Sequence, residues 1–221
     1  MNVQLISISN PVNPNLKTAE DLIAYCARVS NPTNQLNTET APNLLRYLIK
    51  HKHWSPFEMV SLTLQIKTSR AIAAQILRHR SFSFQEFSQR YSEVVAVEDV
   101  EWRLQGKTNR QVGEDQVDLE PSLQLSVRAL QQESLKVYSK LLAAGVAKEC
   151  ARMVLPLNTS TTIYMSGTVR SWLSYLNIRL EQGTQKEHRE IAIEVAKIFI
   201  DTFPNITKSV NTFNDLTGGF M

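Results

Sequence analysis

Glycine is nearly absent from this chain, and that narrows the folds open to it more than any other feature. There are seven glycines in 221 residues, and the first is Gly106. Neither G-x-G-x-x-G nor G-x-x-x-x-G-K-[S/T] occurs. Dinucleotide-binding and P-loop folds cradle phosphate on closely approaching backbone at a glycine-rich turn from strand to helix. This sequence cannot build such a turn. If it binds a nucleotide, side chains must neutralise the charge, and the forked donor set of arginine is suited to that task.

The 43% hydrophobic content over 221 residues is enough to bury one core, so residues 1–221 are expected to form a single domain. A net charge of +3 does not demand a nucleic-acid partner, but it is compatible with small anions held at a local arginine cluster. The opening MNVQLISISN lacks the basic and apolar regions of a signal peptide and is expected to be a strand. No run approaches the length of a membrane span, so a cytoplasmic protein with no membrane partner is expected. Cys26 and Cys150 have no C-x-x-C partner and are expected to be small buried apolar side chains rather than a disulfide or metal site.

Thr18-Ala-Glu-Asp21 looks like a capping box opening a helix, and a second helix is expected through LLRYLIKH. In VSLTLQIKT, Val60, Leu62, Leu64 and Ile66 alternate with polar residues, the period of a half-buried strand. Ser69 can cap a short helix, AIAAQILRH. Residues 81–91 have no clean period and are expected to be a loop, and EWRLQGKTNRQVGED a flexible polar stretch. A long helix is expected from Ser122 to Ala144, with Leu123, Val127, Leu130, Val137 and Leu141 on one stripe. A short helix over AKECARMVL stops at Pro156. A helix from Thr168 to Leu180 follows. The last begins at Thr184-Gln-Lys-Glu187, which has the form of a second capping box. Few strands and much helix give the class α+β.

The chemistry concentrates in Arg78-His-Arg-Ser-Phe-Ser-Phe-Gln-Glu-Phe-Ser-Gln-Arg-Tyr91. Arg78, Arg80 and Arg90 could neutralise more than one phosphate, with Ser83 and Ser88 as hydrogen-bond donors. Glu86 suggests a partner for an arginine or for a donor on a sugar or base. On residue types alone, a solvated basic loop is the commoner outcome. Ser88 has no evident neighbouring base and reads as a phosphate ligand rather than a nucleophile. His79 lies between two fixed cations and is a poor metal ligand. His51-x-His53 is a weak metal signal, and His188 is expected on the surface. In the helix 168–180, Trp172, Leu173, Leu176 and Leu180 form an apolar stripe, with Arg170, Ser174 and Asn177 opposite. Arg179 falls at the border, where it either meets a partner or snorkels to solvent.

The segment resembles the signature of flavin-dependent thymidylate synthases, R-H-R-x-x-S-x-N-E-x-S-x-R-Y. Arg78, His79, Arg80, Ser83, Glu86, Ser88, Arg90 and Tyr91 match, and Gln85 stands for the usual asparagine. HWSPFE, ECARMVLPLN, TVRSWLSYLNIR and TQKEHREIA resemble further family segments, so the likeness runs from about Ala27 to Phe199. Met59, Thr168, Ser174 and Gly183 depart from residues common there. The resemblance implies a mostly helical domain with a small antiparallel sheet, assembling as a homotetramer with sites where subunits meet. It implies conversion of dUMP to dTMP with bound FAD. Methylenetetrahydrofolate and NADPH would be co-substrates, without metal and without a cysteine nucleophile. Arg179 would be catalytic, stabilising charge on the uracil ring. The dUMP site would comprise Gln75, Ile76, Leu77, Arg78, Glu86, Phe87, Ser88, Gln89, Arg90, Arg152 and Arg179. The flavin would meet Ser55, Glu58, Arg78, His79, Arg80, Gln85, Glu86, Thr168, Val169, Arg170 and Ser174, with His53 on the folate or nicotinamide side. Two other readings are an RNA-binding arm at 78–91 and a flavoprotein that oxidises NADPH without folate chemistry.

Overall fold

A computed structural model describes residues 2–94, 96–210 and 213. Its centre is an antiparallel sheet in the order β1-β2-β6-β3, formed by β1 (Asn2–Ile8), β2 (Ser61–Ser69), β3 (Ser83–Glu86) and β6 (Ser160–Thr168). The longest pairing runs from Ser61 opposite Thr168 to Ser69 opposite Ser160. Leu62, Leu64 and Ile66 of β2, with Ile163 and Met165 of β6, point to one face and are buried. On the other face the Thr63 hydroxyl donates to Ser166 and the Tyr164 hydroxyl to Gln65, leaving a polar, wetter surface.

Helices cover the apolar face. These are α1 (Ala19–Ala27), α2 (Ala41–Lys50), α3 (Arg70–Ile76), α6 (Val169–Arg179), α7 (Lys186–Thr202) and the short α8 (Pro204–Thr207). The expected caps at Thr18 and Ser69 are present: each hydroxyl accepts a first-turn amide, and Asp21 reaches back to the Thr18 amide. Glu20 is buried and ties the two ends of the fold together, accepting from the amides of Asn205 and Ile206 and from the Asn205 side chain. Burial raises the pKa of its carboxyl, against these hydrogen bonds.

Several expectations fail for identifiable reasons. Residues 83–86 are not loop: they form β3, whose alternation is masked because one inward position is Glu86. The polar stretch after Glu101 pairs as β4 (Arg103–Gln105) and β5 (Gly113–Gln116). The sequence reading assigns no element to β6, whose inward residues include Thr161. The long helix does form, as α4 (Pro121–Ala143), with its stripe only partly buried. Tyr138 is its one buried residue, and Leu130 is 72% exposed. The second capping box does not form, because the Thr184 hydroxyl donates to the Ile178 carbonyl instead. Cys26 is half-buried and Cys150 exposed, so neither is a core residue. His188 is fully buried, not on the surface. No helix among the described residues is long and apolar enough to cross a membrane.

Candidate functional site

The signature segment is pinned by its aromatic residues, Phe82 buried and Phe84 and Phe87 partly buried. Phe82 packs edge-on against Trp172 at 4.7 Å and sits on Gly167. A Cβ on Gly167 would lie 2.4 Å from the ring, so that position admits glycine alone without moving Phe82. From this anchor the chain runs back to His79, whose ring meets Tyr175 at 4.9 Å.

His79 holds Arg179. The guanidinium Nε donates to His79 Nε2 at 2.9 Å, which resolves the border position of Arg179 in favour of a partner. The histidine must therefore be neutral, with its proton on Nδ1. Burial, and then the charge of Arg179, lower the His79 pKa to about 4. His188 lies behind it, ring centroids 6.2 Å apart, with a pKa lowered to about 3 by burial, Arg179 and His79. His188 Nδ1 meets Gln75 Oε1 at 3.3 Å, and Gln75 Nε2 donates to Gln185 at 2.6 Å. Gln75, His79 and Arg179 thus belong to one cluster at the ends of α3, α6 and α7. Ile76 is buried beside them, while Leu77 and Arg78 face outward.

The other expected nucleotide residues gather elsewhere. Glu86 pairs with Arg70 at 2.7 Å and accepts from Thr161, which gives it the arginine partner its position suggested. The Phe87 amide closes on the Thr162 carbonyl, and Gln89 is buried. Ser88 is exposed. Arg90 pairs with Glu149 of α5 (Lys148–Ala151) at 3.2 Å, and Arg152 donates to the Glu149 carbonyl. No hydrogen bond or ion pair among the described residues joins Gln75, Arg78 or Arg179 to Ser88, Arg90 or Arg152.

A third group lies along α6. Trp54, Arg170, Leu173, Ser174, Asn177 and Val210 line a cavity of about 370 Å³. Arg170 pairs with Glu58 at the surface. Thr168 is committed as the N-cap of α6, accepting the Ser171 amide, and the Val169 amide is held by the Val60 carbonyl. Ser55 and His53 are exposed, and so are Arg80 and Gln85. Lys52 takes a left-handed φ of 57°, and His51 and His53 then lie 6.2 Å apart beside Tyr47.

Sequence reasoning missed Gln185, Glu187, His188, Arg103 and Tyr175. A signal existed for His188. It shares its stripe with buried Ile191, Ala192 and Val195, at spacings of three, four and seven.

A four-stranded antiparallel sheet screened by helices, in a chain without a glycine-rich phosphate turn, stands outside the dinucleotide-binding and P-loop folds. Comparison goes further. Residues 13–205 match the family model described as thymidylate synthase complementing protein, and the chain belongs to that family. It is 51% identical, over 96% of its length and 99% of the relative's, to a protein of Paramecium bursaria Chlorella virus 1 named "Probable flavin-dependent thymidylate synthase". It is 49% identical to the flavin-dependent thymidylate synthase of Synechocystis, over 95% of this chain and 99% of that one. Among solved structures it resembles a UMP/dUMP methylase, PolB, from Streptomyces cacaoi bound with 5-Br dUMP. The TM-score is 0.77 at 25% identity, covering 97% of this chain and 94% of the other.

Proposed function

We propose that the protein converts dUMP to dTMP with FAD, taking the carbon from methylenetetrahydrofolate and electrons from NADPH. Flavin-dependent thymidylate synthase activity follows from the family and from relatives sharing half of its residues. The observation that carries the site reading is the Arg179–His79 hydrogen bond. Held through Nε, Arg179 has no partner for its two terminal nitrogens among the described residues, and they would meet the N3/O2 edge of the uracil. A fixed cation there stabilises negative charge as C5 becomes nucleophilic, and needs no rearrangement during the reaction. Neutral His79 is the acceptor that holds it.

The α6 cavity would take one part of FAD. It offers a cation at Arg170, an aromatic wall at Trp54, apolar surface at Leu173, and a hydroxyl and an amide at Ser174 and Asn177. Arg78, His79, Arg80, Glu58, Ser55, Gln85, Glu86, Thr168 and Val169 would complete its surroundings, the last two through backbone and capping groups. When bound, FAD supplies the redox chemistry, and the protein orients and neutralises. Arg90 and Arg152 would clamp the dUMP phosphate with Ser88 and the backbone of Phe87 and Gln89. Gln75 and Glu86 would fix the remaining polar groups of dUMP, flanked by Ile76, Leu77 and Arg78. His53 would serve the folate or nicotinamide side.

No hydrogen bond or ion pair among the described residues joins the Arg179 cluster to the Arg90–Arg152 ledge, which accords with sites completed where subunits meet. Leu123, Leu125 and Leu130 of α4, at 50%, 65% and 72% exposure, offer apolar surface for that assembly, a homotetramer in this reading. The test is dTMP formation from dUMP by the yellow, flavin-loaded protein, with and without methylenetetrahydrofolate. NADPH oxidation without dTMP would overturn the proposal.

A further inference from the structure

Behind Gln75 lies a line of hydrogen bonds that runs away from the nucleotide side. Gln75 Nε2 donates to Gln185 Oε1 at 2.6 Å, and Gln185 Nε2 donates to Glu187 Oε2 at 2.9 Å. Arg103 of β4 donates to the other Glu187 oxygen at 2.6 Å and to Glu101 at 3.1 Å. Lys186 closes on Glu101 at 2.6 Å. The side chain of Arg103 is 12% exposed and that of Glu187 20%, so the pair is shielded from solvent.

The direction of this line follows from its charged end. Arginine can only donate and an ionised carboxylate can only accept. Glu187 therefore takes the NH₂ end of Gln185, which turns the Gln185 oxygen toward Gln75. Gln75 must then offer its own NH₂ to Gln185 and its oxygen to His188. His188 in turn carries its proton on Nδ1, leaving a bare Nε2 that has no partner among the described residues. Either amide flipped alone would set two NH₂ groups or two oxygens against each other. The orientation of Gln75 is thus dictated from Arg103, three side chains away.

We propose that Glu187 and Arg103 are positioning residues for Gln75, acting through Gln185 to fix which end of its amide meets the nucleotide. This rests on the reading above that Gln75 contacts dUMP. A donor and an acceptor presented in fixed places discriminate a ligand edge; a freely flipping amide does not.

The test measures dUMP binding and steady-state kinetics on the flavin-loaded enzyme. Glu187→Gln keeps the shape but removes the obligate acceptor. It should raise Kd and KM for dUMP about tenfold, the scale of one charge-assisted hydrogen bond, with kcat within about twofold and flavin content unchanged. In a Gln75→Ala background the same substitution should add less than about twofold, because its effect passes through Gln75. An equal loss in both backgrounds would show a general structural effect and overturn the proposal. So would an unchanged Kd in Glu187→Gln where Gln75→Ala weakens binding. If Gln75→Ala itself leaves Kd unchanged, the assignment of Gln75 to the nucleotide falls, and this inference falls with it. Should Glu187→Gln fail to fold, Gln185→Leu, which removes the connecting amide itself, carries the same comparison.

Discussion

Arg179 and Arg90 are proposed to hold the same nucleotide, yet the chain treats them differently. Arg179 is half-buried and donates to neutral His79, whose ring lies 6.2 Å from that of fully buried His188. Arg90 is 67% exposed at its side chain, and among the described residues its ion pair is with Glu149, itself 54% exposed. The first guanidinium is fixed before any ligand arrives; the second must be organised by ligand and neighbour. The division suits the chemistry assigned to each. Charge developing on a ring is best met by a dipole already in place, whereas a phosphate is doubly charged and tolerates an adaptable clamp.

The sharpest way to break this comparison is Arg179→Ala. Removing a preorganised cation of this kind costs about 10²–10³ in turnover. The flavin should stay bound, since the cavity proposed for it is lined by other residues. A variant that loses flavin absorbance but regains dTMP formation when flavin is added in excess would reassign Arg179 to the cofactor. Phe82→Ala comes next and tests whether the fixed side depends on the segment's anchor. Phe82 is 9% exposed and packed on Trp172 and Gly167, so its truncation should destabilise the fold by about 3–5 kcal/mol in urea denaturation. A loss below about 1 kcal/mol would mean the segment is held by its polar contacts instead.

Acid should distinguish the two regions as well. The pKa values of His188 and His79 fall to about 3 and about 4, from 6.5. Both folded values are depressed, so the unfolded chain takes up these protons first. The stability tied to the neutral rings is complete above pH 6.5 and is lost as pH falls toward the folded values. For fully buried His188 the slope is at most about 1.4 kcal/mol per pH unit, or about 2 kcal/mol between pH 6.5 and 5. His188→Asn keeps a donor for Gln75 but cannot be protonated. Urea unfolding at pH 7 and pH 5 should therefore show a shallower loss in the variant. Equal losses in both proteins would place the titration elsewhere.

How much of this was legible in the sequence follows the same line. Residues whose role is set by local pattern could be read: the alternation of β2, the caps at Thr18 and Ser69, and the apolar stripe of α6. The family and its activity were legible from the Arg78–Tyr91 motif, which local spacing preserves. What failed depends on contacts distant in sequence. Thr161 and Glu86 look like loop residues until β3 and β6 pair and Glu86 meets Arg70. Arg103 looks like part of a polar linker until its guanidinium reaches Glu187, 84 residues away. The stripe on α4 could be read as a helical face, but its surroundings could not: Val127, Val137 and Leu141 are partly buried, whereas Leu123 and Leu130 are uncovered among the described residues.

The smallest effect tests the open side of the comparison. Both members of the Arg90–Glu149 pair are more than half exposed, and such pairs contribute about 0–1 kcal/mol. Glu149→Ala should therefore shift the urea midpoint by the equivalent of less than about 0.5 kcal/mol. Its effect on dUMP affinity should be neutral or favourable, because Arg90 no longer has to leave a carboxylate to meet the phosphate. Isothermal titration with dUMP measures this directly. A several-fold weakening would show that Glu149 holds Arg90 in its working position, as His79 holds Arg179. The two guanidinium sites would then be organised alike, and the contrast between a fixed cation and an adaptable clamp would fail.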